Sequence, residues 1–117
     1  MRPNLLSWQY EGYPEFHRSR ANLLLHIVAV PAFVISFLAL VLGAVALHWP
    51  QMAAGLVGMV VSFAVQGVGH QREQTPSIPF AGPGDAVSRI LIEQFVTFPR
   101  FVGSGGFGRA LKAASSR

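Results

Sequence analysis

Two long apolar runs dominate the pattern of this chain. Leu23 to Leu47 carries no charge and is interrupted only by His26, Pro31 and Ser36. Met52 to Val68 is also uncharged, with Gln66 as its one strongly polar member, and His70 follows two residues later. Only His48-Trp49-Pro50-Gln51 separates the runs. A membrane-spanning helix needs about 20 predominantly apolar residues, which the first run exceeds and the second nearly meets. The pattern therefore predicts a transmembrane helical hairpin with spans over about 23–47 and 52–69. At a rise of about 1.5 Å per residue, His26 lies roughly 32 Å from the turn on one arm and His70 roughly 29 Å from it on the other. The two imidazoles are thus expected at nearly equal depth, at the end opposite the turn.

The flanks have other patterns. Over 5–17, Trp8, Tyr10, Tyr13 and Phe16 alternate with Gln9, Glu11, Glu15 and His17, which reads as an interfacial segment because amphipathic rings favour the headgroup level. Pro76, Pro79 and Pro83 forbid a continuous helix after the hairpin. Residues 86–102 (AVSRILIEQFVTFPRFV) form an amphipathic or re-entrant helix in which Arg89, Glu93 and Arg100 fall within about 40° of one another. Gly103-Ser104-Gly105-Gly106 ends it, and the basic tail 107–117 is expected to lack fixed structure. Along the hairpin, Asn22, His26, Ala29, Ser36 and Gly43 form one small or polar stripe; Gly55, Gly58, Ser62, Gln66, Gly69 and Glu73 form another, with His70 at its flank. Such stripes let membrane helices approach closely. The fold class expected is a single all-α membrane domain over 1–117.

Composition narrows the class. Of 117 residues, 51% are hydrophobic and 12% charged, the latter about half the soluble average. The net charge of +4 comes from nine Lys and Arg residues, none of them in the turn. By the positive-inside rule both termini are cytoplasmic and the turn lies on the far side. Topology and attraction to anionic membrane lipids account for the charge, so no nucleic-acid partner is expected. There is no cysteine, which excludes thiolate ligands and thiol nucleophiles.

The candidate chemistry is a cluster of His17, His26, His70 and Glu73. Ionisable residues within or bordering a span are costly and mark function by default. His17 can join His26 only if the chain breaks between them, and HRSRAN offers that break with Asn22 as N-cap. His48 lies across the membrane as an interfacial anchor. Imidazole with carboxylate and no thiolate suits iron, zinc, copper or nickel, and two histidines with one carboxylate typify non-haem iron oxygenases. Asn22 and Gln66 are then placed to fix imidazole tautomers or to bind a substrate oxygen.

EFHRSRANLLLHIVAVP (15–31) and QGVGHQREQTP (66–76) together resemble the small membrane family whose fungal member is an iron(II)-dependent 2-hydroxy fatty acid dioxygenase of the endoplasmic reticulum. Enzymes of that class shorten 2-hydroxy fatty acids by one carbon during breakdown of the phytosphingosine base. The tract RILIEQFVTFPRFVGSGGF resembles a bacterial branch, which implies a bacterial inner membrane with the metal site on its cytoplasmic side. The resemblance implies Fe(2+) held by His17, His26 and His70. Glu73 would be a fourth ligand or base and Asn22 a second catalytic group. Gln66, Arg18 and Arg72 would bind the fatty-acid substrate, with O2 as co-substrate. Two alternatives stand beside this reading: a bis-histidine haem protein for electron transfer, and a non-catalytic membrane assembly protein. Two helices enclose little volume, so a homodimer or added interfacial helices are expected to shield the site.

Overall fold

The described residues fold into helices α1 (Leu5–Phe16), α2 (Arg20–Val45), α3 (Trp49–His70), α4 (Pro83–Ile92), α5 (Phe98–Gly103) and α6 (Gly106–Ala113) with their connections. The structure is a computed structural model that describes residues 3–114. A π-helical turn, Glu93–Thr97, joins α4 to α5. The described residues contain no strand.

The expected break between the histidines is present. Ser19 is extended at φ −75° and ψ 133°, and its side-chain oxygen accepts from the amide of Asn22 at 3.4 Å. Ser19 rather than Asn22 is therefore the N-cap of α2, which frees the Asn22 side chain for other partners. At the far end, the amide of His48 donates to Gly43 O at 2.8 Å and that of Leu47 to Ala44 O at 3.2 Å. This is the Schellman closure, with Leu47 at φ 54° where glycine is usual. His48 then caps α3 by accepting from the Gln51 amide at 3.2 Å, and Pro50 sits in the first turn.

The two stripes meet along the whole hairpin. A Cβ added to Gly55 would lie 2.7 Å from both Leu40 N and Ser36 O, and one at Gly43 would lie 3.0 Å from Met52 N. Gly58 abuts the Ser36 side chain, and Gly69 abuts the Asn22 amide. Outward-facing residues such as Val28, Ile35, Leu42, Val57, Val60 and Val61 are exposed. Both helices are long and apolar enough to cross a membrane.

Everything else gathers at the end opposite the turn. Tyr13, Leu23, Val30, Phe98 and Phe101 form a buried cluster there. The basic tail departs from expectation: residues 106–113 are helical, and Phe107, Ala110 and Leu111 of α6 pack on that cluster. The i, i+3, i+4 spacing of those three was visible behind the glycines. Residues 115–117 lie outside the described residues.

The amphipathic segment is helical as expected, but its polar side faces inward. Asp85, Arg89, Gln94 and Thr97 are buried, whereas Val87, Phe95 and Val96 are exposed. The inversion holds because each buried polar group finds a partner in the bundle. Arg89 donates to the carbonyls of Ile78 (2.8 Å) and Pro79 (3.1 Å) and pairs with Asp85 (3.3 Å). Gln94 exchanges two hydrogen bonds with Gln66, both 2.8 Å, and Thr97 donates to Gln9. The π-helical turn breaks the phase of the helix, so Arg100 leaves this face. It is exposed, with its guanidinium 3.8 Å from the Tyr10 ring centroid.

Candidate metal centre

Each of the three clustered histidines is oriented through Nδ1. His17 Nδ1 lies 2.8 Å from Tyr13 O, and His26 Nδ1 lies 3.0 Å from Asn22 O. A carbonyl can only accept, so Nδ1 carries the proton and a neutral ring presents its lone pair at Nε2. His70 Nδ1 lies 3.2 Å from Ser77 Oγ, on the strap that follows α3. The ring centroids form a nearly equilateral triangle of 4.9, 4.8 and 5.0 Å, with planes inclined at 85°, 76° and 87°. Three almost perpendicular rings converge on one point.

The fourth group at that point is Glu93, from the π-helical turn. Its Oε2 lies 3.7 Å from His17 Nε2 and 3.6 Å from His26 Nε2. One ligand atom from each of His17, His26, His70 and Glu93 lies within 4.8 Å of all the others, so the group could hold a metal ion. His17 and His26 are 3% and 0% exposed, and neither Nε2 has a hydrogen-bond partner. The contacts to Glu93 are too long for hydrogen bonds. Lone pairs and a carboxylate oxygen thus confront one another without an intervening proton, an unfavourable arrangement that a cation relieves. Metal–ligand bonds of about 2.0–2.2 Å set neighbouring ligand atoms a little closer than the separations seen here. The residues present fit a metal.

Tyr13 organises the far side of Glu93. Its hydroxyl donates to Glu93 Oε2 at 2.7 Å, and its ring stacks on His17 at 3.7 Å between centroids. Burial and the neighbouring carboxylate push the Tyr13 phenol well above its usual range, so it remains a donor. Burial alone would raise the Glu93 carboxyl. Positive charge on His17 or His26, when either ring is protonated, outweighs that and holds it well below the usual range.

The other residues singled out from the sequence lie around the centre in different roles. Glu73 is not the carboxylate at the imidazoles. It accepts from Arg18 N (2.9 Å), Ser19 N (3.0 Å) and Asn22 Nδ2 (2.7 Å), and so ties the end of α3 to the start of α2. Asn22 is fully buried; its carbonyl orients His26, while its Oδ1 has no partner and rests against Gly69. Gln66 is engaged with Gln94 and lines a cleft in front of the centre. Arg18 is exposed and lines a second, more polar cleft beside α6, whereas exposed Arg72 lines neither. His48 sits at the other end of the hairpin.

No model of a known protein family, no curated protein and no solved structure matches this chain. Glu93 and Tyr13 were missed as site residues in the sequence. The available signal was an acid inside an apolar tract, RILIEQF, where an unpartnered carboxylate is costly.

Proposed function

We propose that the protein is a membrane-embedded non-haem iron(II) dioxygenase that converts 2-hydroxy fatty acids to the acid one carbon shorter. The observation that carries this reading is the buried set of two partnerless Nε2 atoms facing the Glu93 carboxylate, with His70 completing the group. Nitrogen and oxygen donors without sulfur suit iron, as they suit zinc, copper or nickel. The choice of iron and of substrate rests on the resemblance of 15–31 and 66–76. Three imidazoles in mutual edge contact favour a single ion over a planar macrocycle, so the haem alternative is not carried forward.

Bound iron(II) would supply a redox centre for O2 at this position. His17, His26, His70 and Glu93 would hold it, and Tyr13 keeps the Glu93 carboxylate in place through its hydroxyl. The Nδ1 contacts fix the tautomers of His17 and His26, so that Nε2 is the donor atom. The paired amides of Gln66 and Gln94 and the ring of Phe98 close the surroundings. The overall conversion balances without another reductant: one O2 takes up the four electrons released as the 2-hydroxy acid becomes the shorter acid and carbon dioxide.

In this reading α2 and α3 cross a bacterial inner membrane, and both termini and the metal centre lie on the cytoplasmic side. The basic residues flanking the hairpin and the apolar outward faces of both helices support that placement. Shielding of the centre comes from α1, the π-helical turn and α5 of the same chain. The test is oxygen uptake and product analysis with iron(II)-loaded protein and a panel of long-chain 2-hydroxy acids. Stoichiometric O2 consumption with release of the shorter acid is expected. It should disappear in His17→Ala, His26→Ala, His70→Ala and Glu93→Ala, which also lose metal, and persist in His48→Ala. Folded, iron-loaded protein that consumes no oxygen with any acid would remove the dioxygenase reading.

A further inference from the structure

A cleft of about 610 Å³ opens in front of the metal centre between α1, α3, the strap 77–80 and α4. Its base is polar, with His17, His70, Glu93 and Gln66. Its outer wall on the α3 and strap side is apolar, with Phe63 on α3 and Ile78 and Phe80 on the strap 39%, 39% and 46% exposed, whereas the α1 side sets exposed Glu11 and Glu15 beside Trp8 and Phe16. On α3 the residues that face it are Phe63, Gln66, Gly67 and His70, an i, i+3, i+4, i+7 set that runs from the apolar flank of the hairpin to the centre. The strap is held in place by Arg89, which hydrogen-bonds the Ile78 and Pro79 carbonyls and lies 4.6 Å from the Phe80 ring and 5.2 Å from that of Trp8.

We propose that this cleft seats one acyl chain with its carboxylate end toward His17, His70 and Glu93, and that the bare face at Gly67 sets how much chain is held. The proposal rests on the dioxygenase reading for the chemistry of the head, but the cleft makes its own demands on an occupant. Its volume lies within the range of about 300–1,000 Å³ that suits one small ligand. With a cation held by the His17, His26, His70 and Glu93 group, the base of the cleft favours an anionic head. The apolar outer wall is continuous with the exposed hydrophobic side of α3, including Val60 and Phe63, so a chain leaving the cleft remains in an apolar environment. A single-chain acid meets these conditions.

Gly67 is the informative position. A Cβ there meets nothing within 4 Å, although the residue lines the cleft. A side chain added at Gly67 therefore occupies ligand space without displacing protein atoms. Val68, the next residue, is 51% exposed and lies outside the lining, so it provides a matched control.

The two tryptophans allow binding to be read without turnover. Trp8 lines the cleft, whereas Trp49 is 69% exposed at the opposite end of the hairpin. In a Trp49→Phe background, a long-chain 2-hydroxy acid brominated in mid-chain is expected to quench Trp8 fluorescence saturably. Affinity should rise about fourfold per added methylene until the cleft is filled and then level off. Gly67→Phe should weaken saturable quenching by at least about tenfold while retaining metal, and Val68→Phe should leave it unchanged. If Gly67→Phe does not fold, Gly67→Val should give a graded loss. Unsaturable quenching equal in all variants is partition into the bilayer or detergent and would overturn the proposal. Saturable, Gly67-dependent quenching without oxygen uptake would uphold the cleft and remove the dioxygenase reading instead.

Discussion

Two glutamates border the cluster, and exchanging each for glutamine separates their roles. Glu73 accepts three hydrogen bonds, from Arg18 N, Ser19 N and Asn22 Nδ2. In Glu73→Gln the best orientation puts the amide oxygen at the Oε2 position, where it serves Ser19 and Asn22, and leaves exposed Arg18 N–H to water. The loss is then the difference between charged and neutral hydrogen bonds, about 1 kcal/mol for each of the two retained. A negative charge at the α2 N-terminus contributes a further 0.3–1 kcal/mol or so. Glu73→Gln should therefore destabilise the fold by about 2–3 kcal/mol, while folded protein binds metal with near-native affinity. Glu93→Gln should do the reverse. It removes the only carboxylate among the four ligand atoms, and the loss in metal affinity should exceed the 10- to 100-fold typical of changes to groups that merely orient ligands. Chelator competition measures the affinity, and denaturant titration in mild detergent measures the stability. Folded Glu73→Gln protein that sheds metal, beside Glu93→Gln protein that keeps it, would refute the assignment.

Other expectations follow from the same contacts. Tyr13→Phe preserves the stack on His17 but removes the hydrogen bond to Glu93; metal affinity should fall about 10- to 100-fold, and unchanged affinity would deny Tyr13 a positioning role. Gly55→Ala forces a methyl against Leu40 N and Ser36 O and should cost about 1–3 kcal/mol. Gly67→Ala, with open space, should be neutral or stabilising by up to about 1 kcal/mol; thermal melts that rank the two the other way would contradict the helix interface. A Gln51→Cys variant, the sole cysteine in its chain, should react with impermeant maleimide only from the periplasmic side. Labelling from the cytoplasmic side alone would invert the proposed orientation.

Several features were determined by the sequence alone because they depend on composition or short-range spacing. The two hairpin helices, expected as spans over about 23–47 and 52–69, run over Arg20–Val45 and Trp49–His70, and both are long and apolar enough to cross a membrane. Uncharged runs of that length have few other structural solutions. Equal arm lengths placed His26 opposite His70, and the polar HRSRAN break brought His17 beside them, since a continuous helix would have held it half a turn away. What tertiary structure decided was the carboxylate. Glu73 and Glu93 both lie near the histidines in the final fold; the apolar tract around Glu93 marks it as needing a partner but does not say which. Glu73 is taken by the amides exposed at the start of α2, which helix geometry leaves without partners. Glu93 reaches the imidazoles because it lies one turn beyond buried Arg89 on the inward face, and because Gln66, Gln9 and the strap carbonyls accommodate its polar neighbours. Those partners lie far apart in sequence: Gln94 pairs with a residue on α3, Thr97 with one on α1. An amphipathic pattern specifies that two faces differ, but which face turns inward is set by what the rest of the chain offers it.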